Sequence, residues 1–256
     1  MTSHPDPSRL GGIEWTRRTR GALTGSERRR LMGAIARAQA ENLAGRVKLA
    51  LGRLPAGARD LDLNDFRPPD SALAREAQDA CREQSPAVAG HSHRTWIFGN
   101  ALAALDRERL DPELFYVAAL LHDAGIEQPV AGEDFTLRSA ERAVTCARAG
   151  GLQDAQTELI ADAITVHATP GITAAIDGAL GYYVQSGATA DLAGNRLWDI
   201  PKTLVAGAND LHPRHGVKAA IRHLVRDEAA AVPDGRFALL VRCGFIVAIR
   251  LAPLRD

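Results

Sequence analysis

The chain has only three cysteines, Cys81, Cys146 and Cys243, and none stands in a CxxC pair. An odd, widely spaced set excludes a disulfide framework and a thiolate zinc knot, and it fits a reducing compartment, so a cytoplasmic location is expected. An excess of charge is also lacking. Lys and Arg number 31, as do Asp and Glu, so no global field draws the protein to nucleic acid or to an anionic membrane. The one local excess, Arg17, Arg18, Arg20, Arg28, Arg29 and Arg30, has no aromatic residues interleaved with it and reads as a solvated helix face. Long apolar runs are missing too. The N-terminus has no apolar core of signal-peptide length, and the stretch from Phe237 to Leu251 is interrupted by Arg242 and Arg250 and is too short to span a bilayer. That stretch is expected to be a buried last helix.

Runs of β-branched residues are few, whereas apolar residues make up 46% of the chain, with Ala and Leu leading. This composition predicts an all-α fold. A length of 256 residues suits one large domain or a core with an added lobe. The expected division is an N-terminal extension over 1–70, made of an irregular tail, one helix and a Pro/Gly linker, followed by a helical domain over 71–256. Long exposed helix faces would allow a homo-oligomer.

Thr24-Gly25-Ser26-Glu27 has capping-box spacing and predicts a helix from there to about Leu51. Everything before it reads as irregular. Asp70-Ser71 is expected to cap a short helix to about Glu83, which Pro86 ends. A helix over about 89–105 then carries His91 in its first turn and Arg94 three residues later on the same face. Asp111-Pro112-Glu113 is a strong start signal for a helix running to His122-Asp123, with Gly125 suited to a left-handed exit. Further helices are expected over 137–149, 156–166, 173–193, 202–211, 217–230 and 236–251.

The most informative residues lie at the end of the apolar run Phe115 to Leu121, where His122 and Asp123 stand side by side. Both are costly to desolvate unless something pairs with them, and a divalent metal would satisfy both. With His91 upstream and Asp191 downstream, the chain offers two imidazoles and two carboxylates in the order H, HD, D. Such a donor set suits one divalent transition metal, with Zn placed first and Fe, Mn or Ni as alternatives. His91, His122, Asp123 and Asp191 are the expected ligands, with water activated beside them. His167 sits at a helix C-terminus, where the dipole raises its basicity.

The segments His91-Ser92-x-Arg94, Leu120-Leu121-His122-Asp123-x-Gly125, His167 and Gly187-x-x-x-Asp191-x-x-Gly194 resemble the HD-domain superfamily of metal-dependent hydrolases. Within it they are most similar to the cyanamide hydratase-like branch, over about half of the chain. The resemblance implies an HD-domain-like helical bundle and addition of water to a small molecule, such as hydration of a small nitrile. It also implies roles for Asp123 and His167 in catalysis, with His167 meeting a second metal or the substrate. Arg94 would either orient an anion or pair with a carboxylate. That branch tends to carry Phe-Glu shortly after the pair, and this chain has Asp134-Phe135-Thr136-Leu137 instead. The wider superfamily mostly cleaves phosphate esters of nucleotides, for which Arg94, Arg138 and Arg142 would supply positive charge. A ligand-binding module without turnover is the third reading.

Overall fold

Small polar residues and prolines set the helix starts as the sequence implies. In a computed structural model describing residues 5–256, the side chain of Thr24 accepts from the Glu27 amide while the Glu27 carboxylate accepts from the Thr24 amide at 2.7 Å. This capping box opens α2 (Gly25–Ala50), which α1 (Ile13–Thr19) precedes. After two short 3-10 turns in the linker, Ser71 caps α3 (Ala72–Arg82), accepting from the Ala74 amide at 3.1 Å. Next come α4 (Pro86–Leu105) and α5 (Pro112–Leu121), each with proline at its start. The Asp111 carboxylate caps α5 by accepting from the amides of Glu113 and Leu114, both at 3.0 Å. The remaining helices are α6 (Phe135–Ala149), α7 (Asp154–His167), α8 (Ala174–Asp177), α9 (Ala179–Ala193), α10 (Lys202–Leu211), α11 (Val217–Ala231), α12 (Arg236–Arg242) and α13 (Phe245–Arg250). No β-strand occurs among the described residues. None of their helices is long and apolar enough to cross a membrane.

The all-α expectation therefore holds, and several boundaries differ for local reasons. Residues 13–19, expected to be irregular, form α1, whose Trp15 is buried and donates its indole N–H to Glu27 at 2.8 Å. Pro86 begins α4 rather than ending α3, because the first helical position needs no amide donor. His91 consequently lies in the second turn of α4. The span 173–193 is two helices broken at Gly178 (φ 89°), and 236–251 is two helices broken at Gly244 (φ 90°). Only glycine adopts such angles without strain, and each one redirects the chain. The last segment is also not wholly buried, since Val247 and Leu251 are each 53% exposed.

α5 is the axis of the molecule. Every residue from Leu114 to Leu121 is buried, so an apolar run with no polar face is satisfied by neighbours all round. α3, α4, α6, α7 and α9 pack around it. α4 and α9 make the closest crossing. A methyl group on Gly187 would stand 2.1 Å from the Thr95 carbonyl oxygen, and one on Gly99 would stand 2.7 Å from the Tyr183 carbonyl oxygen. The two backbones touch there, which holds facing residues of α4 and α9 at fixed distances.

Candidate metal centre

The crossing explains one half of the site. Gly187 packs on Thr95, and four residues further along α9 Asp191 meets His91, four residues earlier on α4. The helices run antiparallel, so one turn in each direction brings the two side chains together. The Asp191 carboxylate accepts from His91 Nδ1 at 2.7 Å. It also accepts from Arg94 Nε at 2.7 Å and Nη2 at 3.1 Å, and from Arg214 Nη1. His91, Arg94 and Asp191 have no exposed surface, and Arg214 is 4% exposed.

The other half comes from the end of α5. The helix stops at His122, so His122 and Asp123 straddle the point where the chain turns away. Gly125, expected to take a left-handed conformation, does not have positive φ. Its role is close approach. A methyl group there would lie 2.4 Å from the Phe135 carbonyl oxygen, and its amide donates to Ser139 Oγ at 2.9 Å, fixing the turn against α6.

His91, His122 and Asp123 converge. His91 Nε2 lies 3.3 Å from His122 Nε2, and Asp123 Oδ2 lies 3.4 Å from His122 Nε2 and 3.7 Å from His91 Nε2. His167 approaches from α7, with Nε2 at 3.7 Å from Asp123 Oδ1. In each ring the other nitrogen is already committed. His91 Nδ1 donates to Asp191, His122 Nδ1 to the Ala119 carbonyl at 2.8 Å, and His167 Nδ1 to the Ile164 carbonyl. Hydrogen bonding thus assigns the proton to Nδ1 and leaves an Nε2 lone pair on each ring. Burial depresses the imidazole of His122 to about 3, and burial also lowers that of His167, so both are neutral at physiological pH. At His167 desolvation outweighs the rise in basicity expected from the helix dipole, which leaves a neutral, hydrogen-bonded imidazole.

Two lone pairs and a carboxylate oxygen facing one another without an intervening donor repel unless a cation lies between them. The three donor separations of 3.3 to 3.7 Å are close to the edge of a tetrahedron about a metal with bonds of about 2.0–2.1 Å. The group His91, His122 and Asp123 is buried and able to hold a metal ion. Asp191, expected as a fourth ligand, stands apart from the other three: its oxygens accept from two guanidiniums and from the far nitrogen of His91, an arrangement suited to orienting His91. Of the two roles expected for Arg94, orienting an anion at the site or pairing with a carboxylate, the structure shows the pairing: its guanidinium is spent on Asp191 and on the His212 carbonyl at 2.7 Å.

These donors lie at one wall of a cavity of about 610 Å³. His91, His122, Asp123 and His167 line it, whereas Arg94, Asp191 and Arg214 do not. Asp134, the acid nearest the divergent Phe-Glu position, is also absent from the lining. It caps α6 and pairs with buried Arg236 at 2.8 Å. Two parts of the site carried no sequence signal. Arg214 lies in a loop with no spacing relation to Asp191, and the cavity's outer wall is α2, from the segment read as an N-terminal extension. All three thiols are free, and His93 stacks on His212 with ring centroids 4.3 Å apart.

No protein-family model matches the chain, and no curated protein sequence matches it significantly.

Proposed function

We propose that the chain is an HD-domain-like, metal-dependent hydrolase or hydratase that adds water to an uncharged small molecule, with nitrile hydration as the leading reaction. One observation carries the reading: imidazole lone pairs of His91 and His122 and the Asp123 carboxylate face a single point, with each ring's other nitrogen tied back to the protein. A divalent ion there, Zn first and Fe, Mn or Ni as alternatives, supplies a Lewis acid that makes water nucleophilic near neutral pH. His91, His122 and Asp123 hold it. His167, neutral and with Nε2 directed at Asp123, accepts or returns a proton beside the substrate. Asp191 and Arg94 are positioning residues that act through His91.

Phosphate-ester hydrolysis is the weaker reading, because the cations it needs are engaged elsewhere. Arg94 is paired with Asp191, Arg138 with Glu133 at 3.2 Å and Arg142 with Glu83, and none of the three lines the cavity. The test is metal content by elemental analysis of untagged protein prepared without chelator, beside His122→Ala and Asp123→Ala. Bound transition metal in the native protein, lost from both folded variants, is expected, followed by amide, urea or formamide products from a nitrile and isonitrile panel. Absence of metal after reconstitution with Zn, Fe, Mn and Ni refutes the proposal and leaves a ligand-binding module.

A further inference from the structure

Cyanamide and comparable nitriles have only a few heavy atoms, and this cavity is far too large for them. At ~30 Å³ for each water-sized group, 610 Å³ holds about twenty such groups. Its walls are apolar almost throughout: Ile126 beyond the donor group, Leu192 from α9, Val225 from α11, Phe237 from α12, and Ile35 and Ala38 from α2. The side-chain amides near the outer wall are engaged within the protein, and Arg46 is held there through its Nε alone. Gln39 donates to the Cys243 carbonyl at 2.6 Å, Asn42 to the Ala193 carbonyl at 3.1 Å, and Arg46 Nε to Asn42 Oδ1 at 3.1 Å. Arg46 is the only Lys or Arg in the lining. Exposed Leu43 on α2 and exposed Val247 and Leu251 at α13 continue the apolar surface outward.

Resting on the metal-centre reading, we infer that the substrate is a hydrophobic molecule of about fifteen to twenty-five heavy atoms whose small, uncharged reacting group is carried at one end. Its apolar body occupies the space between α2, α9 and the α12–α13 turn, and α2 determines which bodies fit. A half-open apolar cavity rewards each methylene that it buries and penalises a charge that meets no partner.

Straight-chain alkyl hydroxamates from two to ten carbons test this, because the head chelates metal while the tail probes the wall. Primary amides of the same chain lengths, which chelate poorly, run in parallel on native protein and on His122→Ala. Affinity is expected to rise about threefold to fourfold per methylene until the cavity is full. In Ala38→Trp, the longer chains should lose at least about tenfold while acetohydroxamate binds as before; Ile35→Trp repeats the test on the same wall should that variant fail to fold. Affinity independent of chain length in native protein overturns the inference and leaves the metal centre intact. Chain-length dependence without any advantage of hydroxamate over amide supports the apolar substrate and instead removes the metal.

Discussion

Replacing Asp191 with Asn separates an orienting carboxylate from a metal ligand. The carboxylate neutralises Arg94 and Arg214 and accepts from His91 Nδ1, and Asp191, Arg94 and His91 are wholly buried. The amide of Asn keeps one acceptor oxygen but turns an N–H₂ donor toward groups that are themselves donors. Two buried guanidiniums lose their nearest counter-charge, although Arg94 retains the His212 carbonyl and Arg214 keeps Asp256 at 4.0 Å. Breaking a buried pair from one side costs about 3–5 kcal/mol, which for a chain of this size corresponds to a Tm lower by about 6–20 °C. Burial acts to raise the Asp191 carboxyl, but Arg94, the hydrogen bond from His91 and Arg214 together outweigh it and hold the group well below its ordinary value. Its stabilising contribution is therefore complete above pH 3.8 and disappears as pH falls below that, so native protein and variant should converge in acid. Metal affinity, measured by competition with a chromophoric chelator, should drop about 10- to 100-fold, as for loss of an outer-shell partner. An unchanged Tm together with abolished metal binding would refute the assignment, placing Asp191 on the ion and freeing the arginines for other work.

Three further perturbations examine the frame around the site. Gly187→Ala forces a methyl group to 2.1 Å from the Thr95 carbonyl oxygen; the crossing must open, at a cost of at least about 1–3 kcal/mol, and metal affinity should fall with it because Asp191 moves away from His91. Thr24→Ala removes the capping box of α2 and should cost about 1 kcal/mol in urea unfolding while leaving metal content unchanged. Burial, with the Asp134 charge nearby, raises the Glu228 carboxyl from 4.5 to about 7. In the native protein, stability is fully present below pH 4.5 and is lost as pH rises toward 7, by about 3 kcal/mol at 1.36 kcal/mol per pH unit. Glu228→Gln keeps an acceptor for the Phe135 amide, so it should match native protein at pH 5 and be the more stable at pH 8; equal Tm at both would refute this.

The elements that were legible in the sequence are those with a local cause. The Thr24 capping box, the Asp111-Pro112 start and the stop at Gly194 rest on contacts within a few residues, and each is found where expected. The convergence of His91, His122 and Asp123 was legible too, because a histidine and a carboxylate at the end of an apolar helix demand a partner. The role of Asp191 was not. Ligand and orienting residue both require a carboxylate one turn beyond Gly187, and the distinction depends on Arg214, whose position is set by a loop after α10. Nor did the sequence reveal that α2 walls the cavity, since exposed Leu43 and buried Ile35 share one helix whose polar and apolar residues are weakly segregated.

The placement of charge in this site also bears on what it can bind. The positive charges of Arg94 and Arg214 stand behind His91, cancelled in part by Asp191, and neither residue reaches the cavity. In front, the surroundings are apolar enough to hold the His122 imidazole down to about 3, and the same surroundings act on any substrate. A phosphate dianion moved into them loses its hydration at a cost of several kcal/mol per charge, and the only guanidinium in the lining, Arg46, stands on α2 at the outer wall. A neutral nitrile or amide pays no such penalty and gains from each apolar contact. Mononucleotides should therefore neither be hydrolysed nor displace an octyl hydroxamate from metal-loaded protein, whereas a neutral octanenitrile should displace it. Release of phosphate from a nucleotide panel would show that the buried arginines exchange partners when substrate arrives, and the charge arrangement described here would not be the working one.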